Sequence, residues 1–110
     1  MSGGLAAGLW VSAYLARLSA EAIPAYVEAR GDEVAGAVLV KLATLDGQAQ
    51  AFQRTRDAEG RRIWMVLAEG AEGEVDAALA RQRAFDPDLW VIAVEDARGR
   101  HMLDTPGLAD

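Results

Sequence analysis

Apolar side chains recur at three- and four-residue intervals near the start of the chain. They are Leu9, Val11, Tyr14, Leu15 and Leu18. This spacing predicts an amphipathic helix that begins at about Ala7 and ends before Pro24. Proline suits the first position of a helix and the following Gly31 suits a helix end, so residues 24–30 are expected to form a second, short helix.

Three runs of strand-forming residues follow, separated by turns. Residues 36–45 are apolar on both faces for most of their length, and Asp46-Gly47 after them is a strong hairpin signal. Residues 48–54 return with polar, weakly alternating side chains, which is typical of an edge strand. Residues 62–68 are apolar on both faces, so we expect a central strand there.

Helical spacing returns over Glu72–Phe85 and predicts a second amphipathic helix. Its first turn is acidic and its last turn is basic, which matches the helix dipole. Residues 89–95 form another apolar run and predict a buried strand. After a tight turn, residues 101–103 are expected to pair back as a short edge strand.

These elements predict an α+β fold, in the order helix, helix, three strands, helix, two strands. We expect a single domain over residues 1–110, built on one mixed sheet of four to five strands that helices cover. A length of 110 residues is typical of one domain. Residues 1–6 and 105–110 are expected to be frayed tails.

Charge and composition argue against several kinds of function. Seventeen acidic and eleven basic residues give a net charge of -6, which argues against general nucleic-acid binding. No cysteine is present, so disulfides, thiolate zinc sites and cysteine nucleophiles are excluded, and a cytoplasmic location is favoured. The first basic residue, Arg17, lies behind the apolar N-terminal run, and Ser12 and Tyr14 interrupt that run. We therefore expect neither export nor a membrane span.

The sequence carries no familiar nucleotide or metalloprotease motif, and no cofactor is predicted. It has no Gly-rich phosphate loop, no GxSxG elbow and no HExxH pair. The order of elements also resembles the core of restriction-endonuclease-like nucleases. Those enzymes need metal-binding acids and a lysine on their second and third strands, and the corresponding strands here lack them.

Carboxylates and the only histidine are concentrated towards the C-terminus. They are Asp86, Asp88, Glu95, Asp96, His101 and Asp104. Such groups can bind a divalent metal ion or act as acid and base, and a hairpin after residue 95 would bring Glu95 and His101 together. The simpler interpretation is structural: the aspartates end a helix and form turns, and His101 lies at an exposed edge. No metal site is predicted.

Arginines gather around the turn between the second and third predicted strands. They are Arg54, Arg56, Arg61 and Arg62. Guanidinium groups brought together on one hairpin suit a phosphate or an acidic partner. The alternative is a solvated hairpin tip whose charge is partly neutralised by neighbouring acids.

Several short motifs together resemble one family. They are LWVSA at 9–13, GAVLVKL at 36–42 with LDG at 45–47, EVD at 74–76, FDPDLWV at 85–91, GRH at 99–101 and LD at 103–104. As a set they resemble the bacterial domain-of-unknown-function family 1491, found mainly in alphaproteobacteria. The likeness covers about residues 9–104. It implies a bacterial, cytoplasmic, single-domain protein and brings no catalytic residues.

The leading hypothesis is a non-enzymatic module that binds a protein partner or a small ligand. We expect a homodimer that forms through an edge strand or through the first helix. Trp64 and Trp90 are expected in the core, whereas Trp10 on the first helix is the alternative anchor for a partner. The alternative hypothesis is a metal-assisted hydrolase built on the C-terminal cluster. Its residues would be Glu95, Asp96, His101 and Asp104.

Overall fold

Residues 5–105 fold into one five-stranded sheet with a helix on each face. The elements are α1 (Ala7–Ala20), β1 (Ala25–Ala29), β2 (Val38–Ala43), β3 (Gln48–Arg56), β4 (Arg62–Ala71), α2 (Glu72–Phe85) and β5 (Trp90–Glu95). The strands lie in the order β1-β5-β2-β3-β4; β2 and β5 are parallel and the other neighbours antiparallel. This computed structural model describes residues 5–105 and 108. The predicted α+β fold with a mixed sheet is confirmed, and α2 has the expected bounds.

The centre of the sheet is apolar on both sides because a helix covers each face. On one face α1 packs Trp10, Tyr14 and Leu18 against β2, β3 and β5. On the other face α2 packs Val75 and Leu79 against small and aliphatic side chains of the same strands. Leu18, Val75 and Leu79 are at most 3 % exposed, so each stabilises the fold by roughly 1.5–3 kcal/mol.

Residues 24–30 contain strand β1, so the short helix predicted there is wrong. β1 pairs antiparallel with β5, with Ala25 opposite Val94. The Pro24 carbonyl accepts a hydrogen bond from the Glu95 N–H at 2.9 Å. The backbone groups along β5 need partners, and this long-range pairing overrides the local helix signals of the proline and the glycine.

Residues 101–103 form a turn rather than the predicted edge strand. Met102 has a positive φ of 60°, and the Leu103 N–H donates a hydrogen bond to His101 Nδ1 at 3.0 Å. Leu103 is buried on the α1 side of the sheet. The chain therefore bends to bury Leu103 and does not continue alongside β5.

β3 and β4 exchange the positions predicted for them. β3 lies inside the sheet between β2 and β4, and β4 forms the edge. The small residues Ala49 and Ala51 of β3 fit beneath α2, which explains the weak apolar pattern of this strand. β4 is apolar, yet Ile63, Met65 and Val66 are exposed. Its apolar run thus lies at an edge of the sheet.

The only lysine of the chain, Lys41, is buried in β2 beneath α2. Its Nζ lies 2.8 Å from a carboxylate oxygen of Glu72 and 2.7 Å from one of Asp76. Both acids are about half exposed, whereas the lysine side chain is only 7 % exposed. One buried cation therefore joins the sheet to the first part of α2.

The predicted frayed tails, residues 1–6 and 105–110, lie partly outside the described part of the chain. Residues 1–4, 106, 107, 109 and 110 are not described. Within the C-terminal segment Leu108 is buried among side chains on the α1 face of the sheet. Neither helix of the described part is long and apolar enough to cross a membrane.

Candidate functional site

A cleft of about 680 Å³ opens at the end of the sheet where β2 and β4 begin and β3 ends. Its walls are formed mainly by Trp10, residues 34–39, residues 53–56, Arg62 and Trp64. We call it the arginine cleft. Its volume falls within the range of small-molecule sites, which is about 300–1,000 Å³.

The register of the β3–β4 hairpin places the arginines in this cleft. Arg54 lies opposite Trp64 and Arg56 lies opposite Arg62. Directly opposed residues share a face of the sheet, and alternate residues of a strand share one too. These four side chains therefore continue the row of Phe52, which belongs to the core beneath α1.

Arg54 is held between two tryptophans in the wall of the cleft. Its guanidinium carbon lies 5.9 Å from the ring centroid of Trp10 and 5.3 Å from that of Trp64. Its Nη2 donates a hydrogen bond to the Leu108 carbonyl at 3.0 Å, and Trp10 Nε1 donates to the same oxygen at 3.1 Å. Cation–π contacts and hydrogen bonds thus fix Arg54 as part of the wall.

Arg56 and Arg62 place two further cations at the cleft. Arg56 Nη1 donates a hydrogen bond to the Gly60 carbonyl at 2.7 Å. The guanidinium of Arg62 makes no hydrogen bond or ion pair with another described residue. None of the described residues that line the cleft is acidic. A site of concentrated positive charge therefore exists on a chain whose net charge is -6.

Arg61, the fourth arginine of the predicted group, lies away from the cleft. Its Nε is 2.9 Å from Asp57 and its Nη2 is 2.9 Å from Glu59. This side chain is 73 % exposed at the hairpin turn. The structure thus divides the predicted set into three arginines at the cleft and one solvated arginine at the tip.

Trp64 contributes an unusual polar atom to the same region. It lines the cleft, and its indole Nε1 is buried with no hydrogen-bond partner among the described residues. Buried donors are almost always paired in folded proteins, so an unpaired one calls for an acceptor.

The loop that forms the opposite wall is fixed by hydrogen bonds. The Asp32 carboxylate accepts from the N–H groups of Val34 and Ala35 at 3.1 and 2.7 Å. These hydrogen bonds, from Ala35 first and then Val34, lower the pKa of Asp32. At the start of α1 the Gly8 N–H donates to the Glu33 carbonyl at 2.8 Å. These hydrogen bonds fix the conformation of the wall, so little conformational entropy is lost there on binding.

The C-terminal carboxylates and the histidine do not gather into one site among the described residues. The Asp96 carboxylate accepts hydrogen bonds from the Arg100 N–H, Nε and Nη2 at 2.7, 3.1 and 2.9 Å. The side-chain bonds, and then the backbone bond, lower the pKa of Asp96 to about 2. The side chains of Glu95 and Asp104 are not part of this hydrogen-bonded group of Asp96 and Arg100. Within residues 5–105 no three histidine or carboxylate side chains lie close enough together to hold a metal ion.

His101 contacts residues of the core and of the C-terminal segment. Its ring lies 4.8 Å from that of Phe52, and its Nδ1 accepts the hydrogen bond from Leu103. Burial lowers the pKa of His101. Its carbonyl accepts a hydrogen bond from the Tyr14 hydroxyl at 2.6 Å. These contacts attach the C-terminal segment to α1 and β3.

Comparison with known proteins decides the family. The model of the family described as "Protein of unknown function (DUF1491)" matches residues 5–104. The chain belongs to the DUF1491 family. The resemblance predicted from the motifs is thereby confirmed, and a comparison with curated proteins finds no match.

Solved structures of similar proteins have the same fold. The crystal structure of a DUF1491 family protein from Caulobacter crescentus is 37% identical, with a TM-score of 0.85 over 94% of this chain and 98% of that one. An NMR structure of a DUF1491 family protein from the same bacterium is 38% identical, with a TM-score of 0.79 over 93% and 94%. A solution structure from A. tumefaciens is 31% identical, with a TM-score of 0.71 over 83% and 85%.

Proposed function

We propose that this DUF1491 protein is a non-enzymatic module that binds a small organic anion in the arginine cleft. The observation that carries the proposal is the convergence of Arg54, Arg56 and Arg62 with two tryptophans, and with no acidic side chain among the described lining residues. A cytoplasmic location is part of the same proposal, because the cysteine-free sequence suits a reducing compartment.

The chemistry of the walls suggests the class of ligand. Guanidinium groups bind carboxylates and phosphates through paired, charge-assisted hydrogen bonds. Trp10 and Trp64 supply aromatic surface, and Trp64 Nε1, which has no hydrogen-bond partner in the described part of the chain, offers a further donor. A carboxylate or phosphate attached to a planar, apolar body would use all three features.

Arg62 is the group best suited to bind the anion. Arg54 is already bonded to Leu108 and Arg56 to Gly60, whereas the guanidinium of Arg62 is not bonded to a described residue. A hydrogen bond to a charged group contributes about 1.5–3 kcal/mol. Arg62→Gln is therefore expected to weaken binding by about tenfold or more.

Four probes separate the features of the ligand. Adenosine 5′-monophosphate has an aromatic ring system and a phosphate. Adenosine lacks the charge, and inorganic phosphate lacks the ring. Benzoate is a different aromatic ring that carries a carboxylate. We expect the monophosphate or benzoate to bind more tightly than adenosine or phosphate in calorimetric titrations. In two-dimensional NMR spectra, the shifts should be confined to residues at the cleft, and the probe should be recovered unchanged.

The matched control is Arg61→Gln, which removes a neighbouring arginine that lies outside the cleft. Binding by Arg61→Gln should equal that of the wild type, while Arg62→Gln should bind more weakly. Equal effects of the two substitutions would show that only the overall charge matters. The absence of millimolar binding by all four probes would overturn the proposal.

A further inference from the structure

β4 leaves a long, apolar strand edge open. It has ten residues and lies at one end of the strand order. Ile63, Met65 and Val66 are 37 %, 46 % and 40 % exposed. No charged residue and no proline interrupts residues 63–68. Backbone groups along such an edge are a template for another strand, and natural proteins usually protect them.

The other edge of the sheet shows that protection. β1 has only five residues and begins directly after Pro24. Its pairing shifts at a bulge between Val27 and Ala29, and Glu28 adds a charge there. Short length, proline, a bulge and a charge are the features that prevent edge pairing. β4 also has a bulge, at Leu67, where its pairing with β3 shifts. It is nevertheless twice as long as β1, and its centre has neither a proline nor a charge, which distinguishes that edge as the one suited to pairing.

We propose that two copies of this chain associate through β4, antiparallel, about a two-fold axis at Met65. The two sheets would then form one continuous sheet of ten strands. In this register Trp64 lies opposite Val66 of the second copy, and Ile63 lies opposite Leu67. Trp64 and Val66 share the α1 face, since they lie opposite Arg54 and Phe52 of β3. Opposed apolar side chains on a shared face stabilise a strand pair.

Charge complementarity favours a second copy as the occupant. β4 carries Arg62 at its start and Glu69 near its end, on either side of the apolar run. Antiparallel self-pairing about Met65 brings Glu69 of one copy beside Arg61 and Arg62 of the other copy. In-register parallel pairing would instead place like charges side by side, which is unfavourable. The charges at the two ends of β4 thus favour antiparallel over parallel pairing of two copies.

Mass measurement over a range of concentrations tests this interface. Light scattering after gel filtration, with sedimentation equilibrium, should give a dimer for the wild type as the concentration rises. Met65→Lys should raise the dimer dissociation constant by about tenfold or more, because a charge would be buried at the axis without a partner. Phe85→Lys is the control, since Phe85 is 89 % exposed at the end of α2 and outside the interface. It should leave the dimer unchanged.

A charge exchange tests the direction of pairing independently. Arg62→Glu and Glu69→Arg should each weaken the dimer, and the double variant should regain it. Circular dichroism identifies any variant that fails to fold, and the remaining variants still decide the question. A monomeric wild type at every concentration overturns the proposal, even if β4 binds a peptide of another protein. The proposal is also overturned if Phe85→Lys is the only substitution that disrupts the dimer. It is overturned as well if the double variant dimerises no better than the two single variants.

Discussion

Lys41 and its two acidic partners predict an asymmetry in stability. The perturbations are Lys41→Met, which removes the cation, and the double substitution Glu72→Gln with Asp76→Asn, which removes both negative charges. Because the lysine side chain is 7 % exposed and the acids are 42 % and 48 % exposed, the two changes leave different groups without a partner.

The burial of each group sets the expected magnitudes. After Lys41→Met the two carboxylates remain hydrated, and methionine keeps much of the apolar stem in place. We expect the free energy of unfolding to change by no more than about 1 kcal/mol. After the double substitution a buried ammonium lacks a counter-charge, although amide oxygens can still accept its hydrogen bonds. We expect a loss of about 2–3 kcal/mol, near the lower limit for breaking a buried pair.

The pH dependence of the free energy of unfolding gives a second test of the ion pairs of Lys41 with Glu72 and Asp76. Burial acts to lower the pKa of Lys41, but hydrogen bonds to Asp76 and Glu72 and their charges outweigh burial and raise it. The stability that these two ion pairs contribute is therefore fully present below the ordinary lysine pKa of 10.5 and is lost at higher pH. In the double variant burial acts without the charges and lowers the pKa. Its deficit relative to the wild type should therefore shrink as the pH approaches 10.

Urea unfolding at pH 7 and pH 9.5, followed by tryptophan fluorescence and circular dichroism, measures both effects. Glu74→Gln is the matched control, because Glu74 lies in the same acidic first turn of α2 and is not paired with Lys41. It corrects for the loss of charge at the start of the helix. A Lys41→Met variant that loses as much stability as the double variant would refute the argument from burial.

Two further substitutions test the loop at the cleft and the C-terminal turn. A Cβ at Gly36 would lie 2.5 Å from the Asp88 carbonyl oxygen, so Gly36→Ala should lower stability by about 1–3 kcal/mol in urea unfolding. Gly73→Ala, which meets nothing within 4 Å, should be neutral or stabilising, and equal losses at both positions would contradict this. Asp96 has a pKa of about 2 because of its hydrogen bonds with Arg100, so its contribution is present above pH 4 and lost as the pH falls towards 2. Asp96→Asn should flatten acid unfolding over that range in circular dichroism; a curve as steep as that of the wild type would contradict the assignment.

The predictions that succeeded depended on local signals. α2 begins and ends as expected because its apolar spacing and its charged ends lie within its own sequence. β1 was missed because its strand conformation depends on pairing with β5, far along the chain. β4 was misplaced because an apolar run does not reveal how many neighbours a strand has.

The candidate site was predictable only in part. The arginines form a recognisable group in the sequence, but counting outward from the predicted turn at residues 57–60 would pair Arg56 with Arg61. The turn in fact extends to Arg61, so Arg56 pairs with Arg62. This extra turn residue places Trp64 opposite Arg54 at the cleft, where the apolar run alone predicts a core position. The wall at residues 34–39 depends on contacts with α1 and could not be read from the hairpin. The alternative hypothesis of a C-terminal cluster could not be decided from the sequence, because the pattern does not show that Asp96 is bonded four residues onward, to Arg100.

The place of β5 in the sheet has a consequence for how the chain folds during synthesis. β5 leaves the ribosome after the other four strands of the sheet, yet it lies between β1 and β2, with Val38 opposite Trp90. Until it emerges, β1 has no neighbouring strand and α1 lacks the side chains of Trp90, Ile92 and Val94 beneath it. The contacts within β2, β3 and β4 are more local and can form first, whereas long-range pairing is slow. We therefore expect α1 and β1, which are made before the other elements of the sheet and its helices, to reach their final positions last.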